Sequence, residues 1–400
     1  MIRKLTILLF FFAATWHISF AKSQAPADST KYLLLDFNLV LQISGAVDSM
    51  YNFNFRSAEV EFNYLKYDYP NHPLPYFLHG VSRWWQMMPN LEAETPLGED
   101  FVAYMDSTIT MAEKMTDLDE DNIEANFFLA AAYGFKGRYH SENGNWTRAA
   151  GAGRLALKYL EKTHGHEDFS PEILFGDALF NYYSVYIREN YPMLRPVLMF
   201  FPKGVKELGI KQLEEVASNA FYTRVEAQYF LMRIKAFEEN DTFEALRLGE
   251  YMFTMYPNNP YFHRFYARML YTAGRYNKAL EESEAILTYI KDGKLGYEEV
   301  SGRWASFYAG QIVNARNDKE QALEHFKDVI IFSEATGAES SGYYIYSALL
   351  VAEHYAKNDQ GEMAIPLIKN VRANTKRKSP KYKQARALEK QIKKDLRKRN

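Results

Sequence analysis

The sequence has no cysteine, almost no net charge and only one apolar run of near-membrane length. Without cysteine the chain can form no disulfide and no thiolate metal site, and it cannot carry the lipidated cysteine of a bacterial lipoprotein. The formal net charge of −2 favours no nucleic-acid partner, and none is expected. No nucleophile elbow, phosphate-binding loop, dinucleotide fingerprint or His-Glu-x-x-His motif is present. We therefore expect neither enzyme activity nor a cofactor.

Residues 1–21 have the pattern of a secretory signal peptide. Met1 to Lys4 is a basic cap, Leu5 to Phe20 is apolar, and Ser19 and Ala21 are the small residues before the cleavage point. The apolar run is shorter than the roughly 20 residues that span a bilayer and includes His17, so an uncleaved anchor is the less favoured interpretation. The pattern predicts an exported protein, periplasmic or secreted, and the absence of cysteine fits a bacterial periplasm better than a eukaryotic secretory route.

An internal repeat dominates the middle of the chain. Ala245 and Ala279 are 34 residues apart, at equivalent places in two similar stretches. Asn240 and Gly274 stand at the turn before each of these helices, and Pro257 follows the first of them. Thirty-four residues is about the period of a two-helix tetratricopeptide repeat. The spacing predicts an all-α, tetratricopeptide-like α-solenoid of antiparallel helix pairs with a right-handed superhelical path.

The repeat register extends over most of the mature chain. We assign residues 22–375 to the solenoid and expect sixteen or seventeen helices and no sheet over residues 30–399. Further copies are predicted at Arg303 to Thr336 and at Ile345 to Lys378, with Lys294 to Ser301 as an insertion. A solenoid of this length needs no second domain, because each repeat packs mainly on its neighbours.

The end of the chain, residues 376–400, is strongly basic. It holds twelve Lys or Arg against Glu389 and Asp395, a local charge of +10. One stripe of the predicted helix is apolar, which indicates a basic C-terminal cap on the last repeat; its residues are Ala385, Leu388, Ile392 and Leu396. The alternative is weak contact between this tail and an anionic membrane surface.

The segment from residue 170 to 215 departs from a plain repeat. Gly176-Asp177 followed by Tyr182-Tyr183, a proline-broken apolar linker, Phe201-Pro202-Lys203-Gly204 and Gly209-Ile210-x-x-Leu213 resemble a widespread group of bacterial tetratricopeptide proteins. The segment is also faintly similar to the Iml2 and tetratricopeptide-39 family of the mitochondrial outer membrane. The resemblance covers roughly residues 120–290, and it implies the fold but hardly the function.

Two polar clusters have partial metal-site patterns. Asp117 to Asn122 alternates carboxylates as a calcium loop does, but the sixth and twelfth places hold Asn122 and Phe128 instead of glycine and glutamate. An acidic start to a helix is the favoured interpretation. His164 to Asp168 contains two histidines and two carboxylates, a combination that suggests zinc or copper. With no further histidine cluster to complete a shell, a solvated loop is favoured and no metal is expected.

The concave side of a tetratricopeptide solenoid is formed by the first helix of each pair. In this register eight side chains of two such helices face that side, and they predict a groove for a protein or peptide segment; they are Tyr261, Arg264, Arg268, Tyr271, Trp304, Phe307, Gln311 and Asn314. Arg264 and Arg268 lie one helical turn apart. They either pair with carboxylates of neighbouring helices or hold an anionic group of the partner. The lysine and asparagine clamp for a C-terminal carboxylate is not reproduced.

Two functions remain open from the sequence. The first is a periplasmic interaction scaffold that binds a protein or peptide segment in its concave groove. The alternative is a solute-binding accessory protein of an envelope uptake system, with a closed pocket near the irregular Gly176 to Gly209 segment. An open groove favours the scaffold, and a deep enclosed cavity favours the solute-binding protein.

Overall fold

The computed structural model describes residues 32–91, 93, 96–190 and 203–399. These residues form seventeen α-helices and two short 3-10 helices, Leu33–Leu35 and Met88–Asn90, with no strand among them. The prediction of an all-α chain is therefore confirmed. The predicted signal peptide, and the proline-broken linker at residues 191–202, lie outside the described residues.

The chain divides into two compact units between Asn240 and Asp241. The described part of the first unit contains these helices: α1 Phe37–Tyr51, α2 Phe55–Asp68, α3 Pro73–Met87, α4 Pro96–Leu118, α5 Ile123–Glu142, α6 Trp146–Thr163, α7 Leu174–Asn190, α8 Lys206–Asn219 and α9 Arg224–Phe237. The described part of the second unit contains these: α10 Thr242–Met255, α11 Pro260–Thr272, α12 Tyr276–Lys291, α13 Glu299–Ala315, α14 Lys319–Ala335, α15 Gly342–Lys357, α16 Gly361–Ala373 and α17 Pro380–Arg399.

Within each unit, helices that follow one another in sequence pack side by side. In the first unit α1 packs on α2, α3 on α4, α5 on α6 and α7 on α8, and in the second unit each helix from α10 to α17 packs on the next. Short loops join α1 to α2, α5 to α6 and each helix of the second unit to the next, which makes them antiparallel neighbours. This is the tetratricopeptide-like arrangement of helix pairs that the 34-residue period predicts.

In most of the even-numbered helices, the fourth residue is small. A short side chain there lets two helices approach closely where they cross, and a larger one would hold them apart. The alanines at this position are at most 2% exposed; they are Ala58, Ala149, Ala245, Ala279, Ala322 and Ala364. In α8 the position is Gly209, where a Cβ atom would lie 2.6 Å from the backbone nitrogen of Tyr182. The glycine of the irregular segment thus serves the crossing of α7 and α8.

Several turns between successive helices share one backbone conformation. Asn240 and Gly274, predicted as turn residues, have φ of 56° and 74°, and Asn317 and Asp359 take the same left-handed region in later turns. After Gly274, the backbone N–H of Arg275 donates to the carbonyl of Leu270 at 2.8 Å. This hydrogen bond satisfies a carbonyl group near the end of α11, and α12 begins directly after the turn.

The first unit also contains contacts between helices far apart in sequence. The Trp85 indole N–H on α3 donates to Glu226 Oε1 on α9 at 2.7 Å, and Arg138 on α5 donates to the Tyr229 hydroxyl on α9 at 2.6 Å. The interior sides of α3, α5 and α9 therefore meet. A simple repeat array, in which each pair contacts only its neighbours, contains no such contacts.

Helix α17 packs its apolar stripe on the preceding helices. Ala385 and Ile392 are buried in the same core cluster as residues of α15 and α16. Glu389 pairs with Arg372 of α16 and, at 2.6 Å, with Lys393. The contribution of this helix as a cap stays a prediction. Nowhere in the described ranges does a helix combine the length and apolarity needed to cross a membrane.

We predict that Ala279→Leu destabilises the protein by about 1–3 kcal/mol, because the added atoms must enter a filled crossing. Ala279 is fully buried and packs with Tyr266 and Leu270 of α11 and with Ile312 of α13. The measurement is chemical denaturation followed by circular dichroism. Ala387→Leu, the same change at an exposed position of α17, is the control. Equal stability of the two variants would show that the crossing does not depend on the small residue.

Candidate functional site

The second unit carries a row of aromatic and cationic side chains on α11, α13, α15 and α17. We call this row the aromatic band, and its members are Tyr261, Arg264, Arg268, Trp304, Phe307, Tyr343, Tyr346 and Lys381. All of them except Arg264 are half-buried, with part of each side chain facing solvent. The band is built by helical spacing, because α11, α13 and α15 each supply residues three or four positions apart on one face, and α17 adds Lys381.

Two arginines of α11 lie on the ring of Trp304. The Arg268 guanidinium carbon is 4.9 Å from the Trp304 ring centroid, and that of Arg264 is 5.3 Å from it. Arg264 also lies 5.4 Å from the ring of Tyr261. Guanidinium groups at these distances attract the electron-rich ring face by roughly 0.5–2 kcal/mol each. Trp304 of α13 is therefore the ring that both arginines of α11 contact.

Arg264 is more deeply buried than Arg268. Its residue surface is only 7% exposed, and its guanidinium donates to Ser301 Oγ at 3.1 Å and lies 3.6 Å from Glu298 Oε1. Burial raises the pKa of Glu298, while the charge of Arg264 and two backbone N–H groups act in the opposite direction. Of the two interpretations that the sequence left open, an ion pair with a neighbouring carboxylate describes Arg264.

Aromatic contacts continue the band from α13 to α17. Trp304 lies 5.8 Å from Tyr343, Phe307 lies 4.8 Å from Tyr343, and Phe307 lies 5.6 Å from Tyr346, all between ring centroids. The Lys381 ammonium lies 5.4 Å from the Tyr346 ring. The rings of α13 and α15 thus form a ladder, which Lys381 of α17 extends at one end.

The structure brings five of the eight predicted groove residues into the band, and it places the other three beside it. Tyr271 packs on Tyr308 with ring centroids 4.8 Å apart. Asn314 accepts a hydrogen bond from the Lys319 ammonium at 3.0 Å, next to the turn, and Gln311 is half-buried on α13.

Sequence reasoning missed three members of the band, Tyr343, Tyr346 and Lys381. The predicted fourth repeat begins at Ile345, whereas α15 begins at Gly342. A sequence pattern could have identified the two tyrosines. Tyr343 and Tyr346 are three residues apart, as Trp304 and Phe307 are.

The corresponding side of the first unit is filled by its own side chains. The guanidinium of Arg138 lies 4.6 Å from the Trp84 ring and 5.1 Å from the Tyr229 ring. Glu226 is buried, and burial raises the pKa of its carboxyl group while Arg138 opposes that shift. These contacts fill the space between α3, α5 and α9 with the protein's own side chains.

A second polar cluster surrounds Glu59 on α2. His79 Nδ1 contacts Glu59 Oε2 at 2.9 Å, and Ser82 Oγ and Arg83 donate to Glu59 Oε1 at 2.8 and 2.7 Å. The His79 ring stacks on Tyr104 with centroids 4.9 Å apart. Ser82 and His79 both bond to the carboxylate and not to each other, so they do not form a pair of nucleophile and base. The cluster ties α2 to α3.

The two metal patterns considered in the sequence have different outcomes. In the acidic segment Asn122 Oδ1 accepts from the Ala125 N–H at 2.9 Å, which is a helix cap at the start of α5. In the histidine loop, His164 and Glu167 are joined by Asp177 from α7, and one ligand atom of each lies within 4.8 Å of the others. The sequence pattern did not include Asp177, which is ten residues further along the chain.

Comparisons with known proteins add little to this geometry. No protein-family model matches the chain, and no curated protein matches it. Among solved structures, the crystal structure of yeast Tom70 is 12% identical over 90% of this chain and 96% of that chain, with a TM-score of 0.20. A score of this size supports no inference about fold or partner. The fold assignment therefore rests on the helix pairs themselves, and the resemblance to exported bacterial proteins stays a prediction.

We predict a pH-dependent stability contribution from Glu59. Burial alone would raise the pKa of Glu59, but hydrogen bonds from His79 and Ser82 and the charges of His79 and Arg83 outweigh it and lower the pKa from 4.5 to about 2. The folded-state pKa is below the unfolded-state value. The stabilisation is therefore present above pH 4.5 and is lost as the pH falls towards about 2.

The measurement is urea denaturation at a series of pH values. Glu59→Gln should be less stable than the parent near neutral pH, and the difference should shrink steadily as the solution is acidified below the unfolded-state pKa. Glu61→Gln, on the same helix but outside the cluster, is the control. A difference for Glu59→Gln that stays constant in acid would contradict the assignment.

Proposed function

We propose that this protein is a scaffold that binds an extended segment of a partner protein along the aromatic band. The single observation that supports the proposal is the partly exposed ladder of rings on α11, α13 and α15, which Lys381 of α17 extends. Contiguous apolar groups at a protein surface, rimmed by polar residues, are typical of interaction sites. Large rigid rings also provide contact area at a low cost in conformational entropy.

The chemistry of the band indicates the kind of segment that fits. Arg268 and Lys381 supply positive charge at its two ends, and the rings between them offer apolar faces. A segment with aromatic or aliphatic side chains flanked by carboxylates would complement both properties. Because Arg264 already faces Glu298, its main role is to hold Trp304 and Tyr261 in place, and removing it would leave a poorly solvated carboxylate unpaired.

We also propose that the protein is exported, as a periplasmic or secreted protein. The support is the basic, apolar and small-residue order of residues 1–21 together with the absence of cysteine. The alternative function, a solute-binding accessory protein of an envelope uptake system, depends on a pocket that falls partly on residues outside the described ranges. No specific observation favours it. Weak contact of the basic tail with an anionic membrane surface stays an untested second role of α17.

We predict that Trp304→Ala weakens binding of linear peptides by at least about tenfold, because central aromatic residues of an interface commonly contribute 2 kcal/mol or more. The probes are peptides selected on the parent protein from a display library of random linear sequences. The selected sequences should be enriched in Asp or Glu next to aromatic residues. Binding is measured by fluorescence anisotropy.

Trp146→Ala is the matched control, because Trp146 is 47% exposed on α6 of the first unit and lies outside the band. Its loss should leave peptide affinity unchanged. A selection that enriches no sequence, or equal effects of the two tryptophan variants, would contradict the proposed site. Arg264→Ala would mix binding with folding, because the loss of its buried ion pair should lower stability by about 1–3 kcal/mol.

Export has its own test, which is independent of peptide binding. The full chain expressed in a Gram-negative bacterium should appear in the periplasmic fraction with Lys22 as its first residue, because a signal peptide is removed after translocation. A cytoplasmic protein that retains Met1 would refute the proposal, whereas replacing Leu8 by Arg should block export of the parent by interrupting the apolar run.

A further inference from the structure

We propose that His164, Glu167 and Asp177 form a binding site for a divalent metal ion of the zinc type at the junction of α6 and α7. This inference is independent of the proposed scaffold function, because the residues lie in the first unit and outside the aromatic band. It also goes beyond the sequence pattern, which did not include Asp177.

Two of the three distances between the ligand atoms are close to those of a metal site. His164 Nδ1 lies 3.7 Å from Glu167 Oε1 and 3.5 Å from Asp177 Oδ2. In a tetrahedral zinc site with bonds of about 2.1 Å, two ligand atoms are about 3.4 Å apart. The three side chains could therefore hold the ion with movements of a few tenths of an ångström at these two edges. All three ligand atoms lie within 4.8 Å of one another.

The local structure holds the three ligands in place. His164 is the C-cap of α6, and the following Gly165 has φ of 84°, which turns the chain back towards α7. The Gly165 N–H donates to Glu167 Oε1 at 3.0 Å, so a backbone hydrogen bond orients the glutamate. Asp177 comes from the first turn of α7, where Gly176 lies so close to α6 that a Cβ atom there would be 2.5 Å from Leu160 Cδ1.

Asp177 provides the observation that points to a ligand. Its side chain is 10% exposed, and in the described part of the chain its only hydrogen-bond contact is His164 Nδ1, at the 3.5 Å limit of such a bond. A carboxylate this deeply buried is costly unless its charge is compensated, and one distant imidazole compensates it poorly. A divalent ion bound to Asp177 Oδ2 would remove that deficit.

The set of ligands selects the class of ion. One imidazole nitrogen and two carboxylate oxygens suit Zn²⁺ and Mn²⁺, and the absence of a thiolate or thioether argues against Cu⁺. Three protein ligands leave the fourth position of a tetrahedral ion to water or to a group from another molecule. His164, with 73% of its side chain exposed, keeps this position open to solvent.

Titration calorimetry with zinc chloride on the metal-stripped, purified protein tests the proposal. We expect binding of one equivalent and a rise in melting temperature with zinc concentration, because an ion that binds only the folded state stabilises it. His164→Ala and Asp177→Asn should each weaken binding by about 100-fold or more, since even outer-shell changes cost 10–100-fold. His166→Ala, in the same loop but outside the group, should leave binding unchanged.

A second measurement keeps the test decisive if a variant folds poorly. Cobalt(II) added to the parent protein should give a visible absorption band that zinc displaces, which reports a bound ion without any substitution. Absence of both the calorimetric signal and the cobalt band would overturn the proposal and identify the group as a hydrogen-bonded ion pair only. Loss of binding in His166→Ala that equals the loss in His164→Ala would also overturn it, because another set of ligands would then hold the ion.

Discussion

The close crossing of two helices at a small side chain is the constraint on which the rest of the structure depends. A layer that is two helices thick has little interior volume, and its helices can share a core only if their backbones approach at one point. Alanine meets this requirement in Ala58, Ala279, Ala322 and Ala364, and Gly209 meets it where α7 and α8 are closer still. Aromatic side chains pack beside these crossings, as Tyr266 does near Ala279 and Phe326 near Ala322.

The same constraint made much of the fold predictable from the sequence. Ala245 and Ala279 showed the period, and the left-handed turn residues Asn240 and Gly274 showed where one helix ends and the next begins. These signals are local, because each depends on a few neighbouring residues. The contacts of Trp85 with Glu226 and of Arg138 with Tyr229 depend on how several pairs stack together. No periodicity of single residues contains that information, so the filled interior of the first unit was not foreseen.

The candidate site was predictable to a similar extent. Helical spacing identified Trp304 and Phe307, but a register that was three residues late hid Tyr343 and Tyr346. The burial of Arg264 depends on the segment from Lys294 to Ser301, which was predicted only as an insertion. In the structure this segment carries Glu298, the partner of Arg264, and its neighbour Tyr297 is fixed by His263 Nδ1 at 2.9 Å. An insertion between repeats can thus decide which residues of a neighbouring helix remain available to a partner.

The long-range hydrogen bonds of the first unit have a consequence for how the chain folds. The partners Trp85 and Glu226 are separated by 141 residues, so their contact forms only after a long loop has closed. In the second unit packing between neighbouring helices dominates, and such a stack can grow or open one helix pair at a time. One polypeptide therefore combines a slow, cooperative half with a half that can fray gradually from the basic end. Hydrogen exchange would separate the two behaviours along the sequence, with protection uniform in the first and graded in the second.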